Sequence, residues 1–178
     1  MNMSGTRVIA APRETVWEAL LDAEVLKACV PGCQEMTGSA EDGFQATVVQ
    51  KVGPVKATFK GGVTLSDRVE GESVTLSGEG KGGAAGFAKG GAKVALADVE
   101  GGTQLTYDVD AKVGGKLAQL GGRIIDGFAR KMADQFFERF QIAIEGEPEV
   151  ADGPPEEKKK GWLKRLVSKS DSGSTQDA

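Results

Sequence analysis

The sequence predicts an α+β fold in which a curved antiparallel sheet of about six to seven strands packs against one long C-terminal helix. Apolar and polar residues alternate along most of residues 33–113, the period of strands with one dry face and one wet face. Two short helical patterns precede this region, and residues 116–145 carry the spacing of a long amphipathic helix. This order of elements is typical of the α+β class.

The first predicted elements are short. Ser4–Ala10 alternates weakly and predicts the first strand. A helix of about three turns follows, with an apolar face made of Val16, Leu20 and Ala23. Glu24–Ala28 predicts a second short helix, which Pro31 and Gly32 end.

The following strands are marked by alternation and by the turns between them. In the clearest strand, one face carries Val55, Ala57, Phe59, Val63 and Leu65. Residues 105–113 alternate in the same way, and shorter runs lie at residues 44–48, 74–76 and 92–96. Turn signals separate them at residues 41–43, 53–54, 70–71 and 100–102. We therefore expect about six strands in succession after the two helices.

The segment Lys116–Glu145 is the one predicted cover for the dry face. Its apolar residues recur at spacings of three and four: Leu117, Leu120, Ile124, Phe128 and Met132. Gly121, Gly122 and Gly127 interrupt it, and a glycine inside a helix costs about 1 kcal/mol relative to alanine. They indicate a kink in the helix, close packing against the sheet, or space kept open for a ligand.

Several classes of catalytic site are excluded by composition. The chain contains no histidine, which excludes histidine-based nucleophile systems, histidine metal ligands and histidine acid–base catalysis. Its two cysteines stand in the motif CVPGC, and we expect two reduced thiols beside a turn. Asp108, Asp110, Asp126 and Asp134 fall at solvated positions, so no carboxylate pair for catalysis is indicated. We expect no metal and no enzymatic activity.

Four motifs resemble the G subunit of carbon monoxide dehydrogenase, a family of the START-like (SRPBCC) superfamily. They are CVPGC, VGPVKATFKGGVTLSD, LSGEGKGGAAGFAKGGAKV and YDVDAKVGGKLAQLGGRIIDGFARKMADQFF. The resemblance covers about residues 3–145. It implies a helix-grip fold, in which the sheet wraps around the long helix and leaves a cavity, over a ligand-binding domain of residues 1–145. It also implies a non-catalytic accessory role beside a molybdenum CO dehydrogenase, or a related molybdenum hydroxylase.

We expect a hydrophobic small molecule to bind in this cavity. The expected ligand-binding residues come from the second helix, the strands and the long helix: Leu26, Val30, Phe59, Val63, Phe87, Tyr107, Leu117, Leu120, Gly121, Ile124, Phe128 and Met132. Phe87 stands off the expected dry face, and we expect it to fold over the cavity entrance.

The glycine-rich stretch around Phe87 also fits a nucleotide-binding pattern formally. Gly78, Gly80 and Gly83 match GxGxxG, but that motif binds a pyrophosphate only where a helix follows the strand. Here a second strand pattern follows, so the glycines predict a hairpin whose kinks let the sheet curve.

The end of the chain differs from the rest in composition. The whole chain has 22 basic and 26 acidic residues, a net charge of −4, whereas residues from 158 onward carry +4. Residues 146–157 are acidic and rich in proline, which predicts a linker, and residues 171–178 predict a disordered end. Between them lies a basic amphipathic segment over residues 158–170.

This segment fits an anionic membrane surface best. Its membrane-binding residues combine cations with an interfacial tryptophan and two leucines: Lys158, Lys159, Lys160, Trp162, Leu163, Lys164, Arg165, Leu166 and Lys169. A protein groove is an alternative. Nucleic acid is not expected, because the remainder of the chain carries a charge of −8.

These expectations combine into two hypotheses. In the first, the protein carries an isoprenoid quinone, menaquinone or ubiquinone, as electron acceptor and recruits the dehydrogenase to the cytoplasmic membrane. In the second, it is an adaptor with no ligand in its cavity. The chain shows no secretory signal and no apolar stretch long enough to span a membrane. We therefore expect it in the cytoplasm, at the inner face of the membrane.

Overall fold

The computed structural model describes residues 1–146 and contains seven strands and three α-helices in that range. The elements run in the order β1 (Asn2–Ile9), α1 (Arg13–Leu20), α2 (Ala23–Cys29), β2 (Cys33–Ser39), β3 (Gly43–Val52), β4 (Val55–Val69), β5 (Ser73–Lys81), β6 (Phe87–Val99), β7 (Gly102–Gly114) and α3 (Gly122–Glu145). Two 3₁₀ turns, Gly83–Ala85 and Gly115–Leu120, precede β6 and α3. The predicted fold class is confirmed.

The seven strands form one antiparallel sheet in the order β1-β7-β6-β5-β4-β3-β2. Strands β2 to β7 follow one another as a meander, and β1 joins at the edge beside β7. Glycines of neighbouring strands lie directly opposite each other in the sheet, Gly61 beside Gly80 and Gly78 beside Gly90. A Cβ on Gly61 would collide with the carbonyl oxygen of Glu79, and one on Gly90 would collide with that of Asp110. Glycine is therefore required for this close approach of strands.

The GxGxxG match lies within this glycine-rich part of the sheet. Gly78 and Gly80 belong to β5, and Gly83 opens a 3₁₀ turn of three residues before β6. No α-helix N-terminus stands there to receive a phosphate, so the hairpin interpretation is confirmed.

The first helix is shorter than predicted. The Oδ1 atom of Asp22 accepts hydrogen bonds from the backbone N–H groups of Glu24 and Val25, at 2.8 and 3.4 Å. This N-cap starts a new helix, so Ala23 is the first residue of α2 rather than part of the face of α1.

The long helix also starts later than predicted. Residues 115–120 form a 3₁₀ turn, Gly121 has a φ of +92°, and α3 begins only at Gly122. A Cβ on Gly121, Gly122 or Gly127 would meet nothing within 4 Å, and all three residues are exposed. They neither pack against the sheet nor keep space open inside it, so those two interpretations are wrong, whereas the backbone break at Gly121 agrees with the third, a kink.

Two hydrophobic clusters hold α3 against the sheet. The larger joins the C-terminal half of α3 to α1, β1 and the strands β5–β7; its fully buried members include Ile9, Val16, Leu105 and Phe140. Arg7 adds a salt bridge of 2.6 Å to Asp134 and lies 5.1 Å above the ring of Phe137. The smaller cluster, around Val52, Leu117 and Ile125, lies where the β3–β4 hairpin meets the start of α3.

Candidate functional site

A cavity of about 600 Å³ lies between the concave face of the sheet and α3. Side chains of α1, α2, every strand and α3 contribute to its wall, and members of both hydrophobic clusters face it. Its volume is in the range of known small-molecule sites, about 300–1,000 Å³. The residues of α3 that face it are Ile125, Phe128, Ala129, Met132, Ala133, Phe136 and Phe137.

The wall of the cavity is almost entirely apolar. Of the side chains that line it, only those of Gln50 and Tyr107 carry a polar group. The amide of Gln50 donates a hydrogen bond to the carbonyl oxygen of Pro31, so it is already engaged. The ring of Tyr107 stacks on Phe137 with centroids 5.1 Å apart. Such a wall suits a hydrophobic molecule with few polar groups.

Eight of the twelve residues predicted to bind a ligand line the cavity. They are Leu26, Val30, Phe59, Val63, Tyr107, Leu117, Phe128 and Met132. The structure does not bring Phe87, Leu120, Gly121 and Ile124 to the wall.

The four other residues lie off the wall for two physical reasons. Phe87 is on the outer face of β6, 38% exposed, and its ring covers Gly114 of the neighbouring strand. It therefore does not close the cavity. The break at Gly121 changes the rotational phase of the helix, so Ile125 faces inward and Ile124 stays 41% exposed. Leu120, before the break, lies with Ile124 near Gly53 in the β3–β4 hairpin.

Sequence reasoning missed part of the wall. Leu20 and Leu21 at the end of α1, Met36 on β2 and Met3 on β1 all line the cavity. Met3 alternates with Gly5 and Arg7 on the inner face of β1, a pattern that could have identified it. Gln50 could not have been identified, because its role depends on the path of the chain at Pro31.

Both cysteines are free thiols, as predicted. Cys29 is fully buried in the larger cluster, and burial raises the pKa of its thiol, which nearby Arg139 lowers to a smaller extent. Burial also raises the pKa of the Cys33 thiol, against smaller opposing effects of the Glu35 backbone and Lys27. Neither environment favours a reactive thiolate at neutral pH.

Within residues 1–146, no group of three or more cysteines and carboxylates stands close enough to hold a metal ion. None of the helices described there has the length and apolar character that a membrane span requires. The linker, the basic amphipathic segment at residues 158–170 and the C-terminal end lie outside the described residues, apart from Gly146.

Comparisons with known proteins agree with this geometry. The family model for the G subunit of carbon monoxide dehydrogenase (CoxG) matches residues 5–145. The crystal structure of a conserved protein from Geobacillus kaustophilus superposes with a TM-score of 0.76 at 29% identity, covering 82% of this chain and 95% of that chain. No curated protein matches the chain.

More distant structures share the fold. A START superfamily protein from Mycobacterium smegmatis has a TM-score of 0.62 at 16% identity, covering 81% of this chain and 97% of its own. A protein from Chromobacterium violaceum has a TM-score of 0.60 at 17% identity, with 82% and 98% covered. The chain therefore has the START-like helix-grip fold.

Proposed function

The chain belongs to the CoxG family of carbon monoxide dehydrogenase subunits, and from this premise we propose that it is a non-catalytic accessory protein that binds a hydrophobic ligand for a molybdenum CO dehydrogenase. The ligand we propose is an isoprenoid quinone that accepts the electrons of CO oxidation. The protein would recruit the dehydrogenase to the cytoplasmic membrane through its basic amphipathic segment. The observation that carries the proposal is the apolar cavity.

The energetics of this cavity favour an occupant. Cavities in protein cores are destabilising by about 24 cal/mol per Å³. The same direction holds here, because apolar side chains that face an unfilled space lose contact partners. Water is a poor filler because it needs two to four polar partners, and the wall offers two polar side chains. A bound apolar molecule removes most of this penalty.

The shape of a quinone suits the distribution of wall residues. Its isoprenoid chain needs only apolar contacts, which most of the wall supplies. Its ring is flat and suits the aromatic side chains Phe59, Phe128 and Phe136. Its carbonyl oxygens need one or two donors, and Tyr107 is the lining side chain that carries a hydroxyl, which lies against Gly5 and beside Arg7.

Membrane recruitment is supported by the composition of the chain and by the family. Each Lys or Arg near an anionic leaflet contributes about 1 kcal/mol, and residues 158–170 contain six of them beside Trp162 and Leu163. The free energy of this attraction is offset by the cost of ordering the segment, about 1–2 kcal/mol per residue. We therefore expect the contact with the membrane to be reversible. A carrier must release the membrane to deliver its ligand.

The test is native purification followed by mass spectrometry of the solvent-extracted ligand. Wild-type protein purified from its host should contain a quinone near one molecule per chain. The variant Ala133→Phe places a ring in the cavity, whereas Ala143→Phe adds the same ring at an exposed position of the same helix. We expect Ala133→Phe to lose most of the quinone and Ala143→Phe to retain it. Quinone absent from the wild type, or equal in both variants, would refute ligand carriage.

The adaptor hypothesis makes a different prediction in the same strains. Under it, Ala133→Phe should leave CO-dependent respiration unchanged, because only protein contacts matter. Under ligand carriage, respiration should fall by at least tenfold in Ala133→Phe while the dehydrogenase stays at the membrane.

A further inference from the structure

The charged side chains of the folded domain are segregated between its two ends. Successive hairpins of a meander point alternately to opposite ends of the sheet. One end comprises segments 51–60, 80–88 and 112–125, which have no acidic residue and seven basic ones: Lys51, Lys56, Lys60, Lys81, Lys112, Lys116 and Arg123. We call this the basic end. The opposite hairpins, residues 39–43, 67–73 and 98–102, carry seven acidic residues and one basic residue.

Lysines face lysines across the strands at the basic end. Lys51 pairs with Lys56 and Lys60 with Lys81 as direct neighbours in adjacent strands. Like charges placed directly opposite destabilise a sheet. Two such pairs at one end mean that the fold tolerates a repulsion that an anionic partner would relieve.

The two ends also differ in how their cations are neutralised. At the acidic end, Arg68 forms salt bridges with Glu41 and Glu70, at 3.1 and 3.9 Å, and Arg13 forms one with Asp98 at 3.3 Å. None of the seven cations of the basic end forms a salt bridge with any residue in the range 1–146. All seven are exposed.

Apolar side chains are exposed at the same end. Phe87 is 38% exposed beside Lys81, its partner across the strands, and Ile124 is 41% exposed beside Arg123. The smaller hydrophobic cluster, around Val52, Leu117 and Ile125, lies between this surface and the cavity. The cations, the exposed apolar side chains and the part of the cavity wall around Val52 and Leu117 therefore lie at the same end of the domain.

We propose that the basic end is a membrane-contacting surface of the folded domain, which lies on anionic phospholipid headgroups and inserts Ile124 and Phe87 into the interface. The proposal deepens the membrane contact of the proposed function and does not depend on the identity of the ligand. It orients the domain so that the hairpin β3–β4 and the start of α3 face the bilayer.

The composition of the surface favours lipid over a protein partner. Six of its seven cations are lysines, and protein interfaces are depleted in lysine and enriched in arginine. An anionic leaflet attracts any cation through its field, without a fixed geometry, and each charge contributes about fivefold in affinity. Flexible lysines around two apolar side chains fit that requirement.

The first test measures binding of the full chain to vesicles of phosphatidylcholine with about 30 mol% phosphatidylglycerol. The variant Lys51→Gln/Lys56→Gln/Arg123→Gln removes three charges from the basic end. The matched control Lys27→Gln/Lys93→Gln/Lys131→Gln removes three exposed charges from α2, the middle of β6 and the middle of α3. We expect a loss of about a hundredfold for the first variant and less than fivefold for the control.

The second test locates the contact. A fluorophore sensitive to polarity is attached to Ile124→Cys in a Cys33→Ser background, and compared with one at Val69→Cys, which replaces an exposed apolar residue (49%) at the acidic end. We expect a blue shift on vesicle binding at position 124 only. Equal affinity of both triple variants, or a fluorophore at position 124 that stays in water, would overturn the proposal. If only Trp162→Ala/Leu163→Ala lost binding, the result would support membrane contact by residues 158–170 and refute contact by the basic end.

Discussion

At the scale of single residues, Gly121 and Gly127 are six positions apart and have different reasons for being glycine. Gly121 has a φ of +92°, a conformation that side chains with a Cβ rarely adopt, and it ends the 3₁₀ turn before α3. Gly127 lies inside α3 and faces open space. The first is required by the backbone, whereas no contact of the second explains it.

Alanine substitutions should separate these two positions. We expect Gly121→Ala to lower the unfolding free energy by about 1–3 kcal/mol, because alanine would be strained there. We expect Gly127→Ala to raise it by about 0.5–1 kcal/mol, because alanine favours the helix. Urea denaturation of both variants measures the difference. A stabilising effect of Gly121→Ala would show that the break before α3 is not fixed by the backbone.

The two thiols give a residue-scale prediction about pH. Burial raises the pKa of both Cys29 and Cys33, and only the thiolate reacts. With Ellman's reagent at pH 7.5, Cys33 should therefore react more slowly than a free thiol, and Cys29 only after unfolding. The rate at Cys33 should rise about tenfold per pH unit until the pH exceeds the raised pKa.

The same shift has a consequence for stability. As the pH rises, the thiols lose their protons at a lower pH in the unfolded chain than in the folded protein. They therefore stabilise the fold below the pKa of the unfolded chain, about 8.5. That contribution is lost as the pH rises towards the folded pKa.

The variant Cys33→Ser should show no labelling with Ellman's reagent before unfolding. Fast labelling of this variant at pH 7.5 would contradict the burial of Cys29.

At the scale of elements, the two halves of α3 differ in how they are held. Phe140, near the C-terminus of the helix, is fully buried in the larger cluster. Phe128, one turn and a half from the N-terminus, is half-buried and packs beside the smaller cluster at the wall of the cavity. A side chain beside a void has fewer atoms in contact with it, so it contributes less to stability.

We therefore expect Phe140→Ala to destabilise the protein by about 3–5 kcal/mol and Phe128→Ala by about 1–2 kcal/mol. Urea denaturation of the ligand-free protein measures both. Hydrogen exchange should agree, with amides of residues 122–132 exchanging faster than those of residues 133–144. Equal losses for the two substitutions would mean that the N-terminal half is packed as tightly as the rest.

The strands could be predicted from the sequence because one wet and one dry face leave a period of two. The turn signals around Gly43, Gly53, Gly71 and Gly101 indicated the hairpins for the same local reason. The phase of α3 could not be predicted by the same logic. The spacing of Leu117, Leu120 and Ile124 continues across Gly121, but after the positive φ of Gly121 it is Ile125 and not Ile124 that shares the wall with Phe128 and Met132.

The wall of the cavity was predictable only where it depends on one element. Phe59 and Val63 follow from the alternation of β4, and Phe128 and Met132 from the apolar face of α3. Residues contributed by the end of α1 and by β2, such as Leu21 and Met36, depend on how the chain turns at Asp22 and Pro31. The cap at Asp22 is a local hydrogen bond, but no periodicity encodes the direction that the chain takes after each turn.

At the scale of the whole molecule, the cavity couples ligand binding to folding. It lies between the two clusters that attach α3 to the sheet, so a bound molecule would bridge both halves of the helix. A ligand that binds only the folded state adds RT ln(1 + [L]/Kd) to the unfolding free energy, about 2.7 kcal/mol at a hundredfold excess over Kd. Thermal stability should therefore report occupancy.

Removing the ligand by mild solvent extraction should lower the melting temperature of the wild type, and adding a short-chain quinone should restore it. For a domain of this size the expected shift is about 5–10 °C, because roughly 2–4 °C accompany each kcal/mol. Ala133→Phe fills part of the cavity with its own ring, so it should melt at or above the extracted wild type and respond little to quinone. Ala143→Phe, with its ring in solvent, should respond like the wild type. A quinone-induced shift that is equal in Ala133→Phe and the wild type would place the ligand somewhere other than the space between α3 and the sheet.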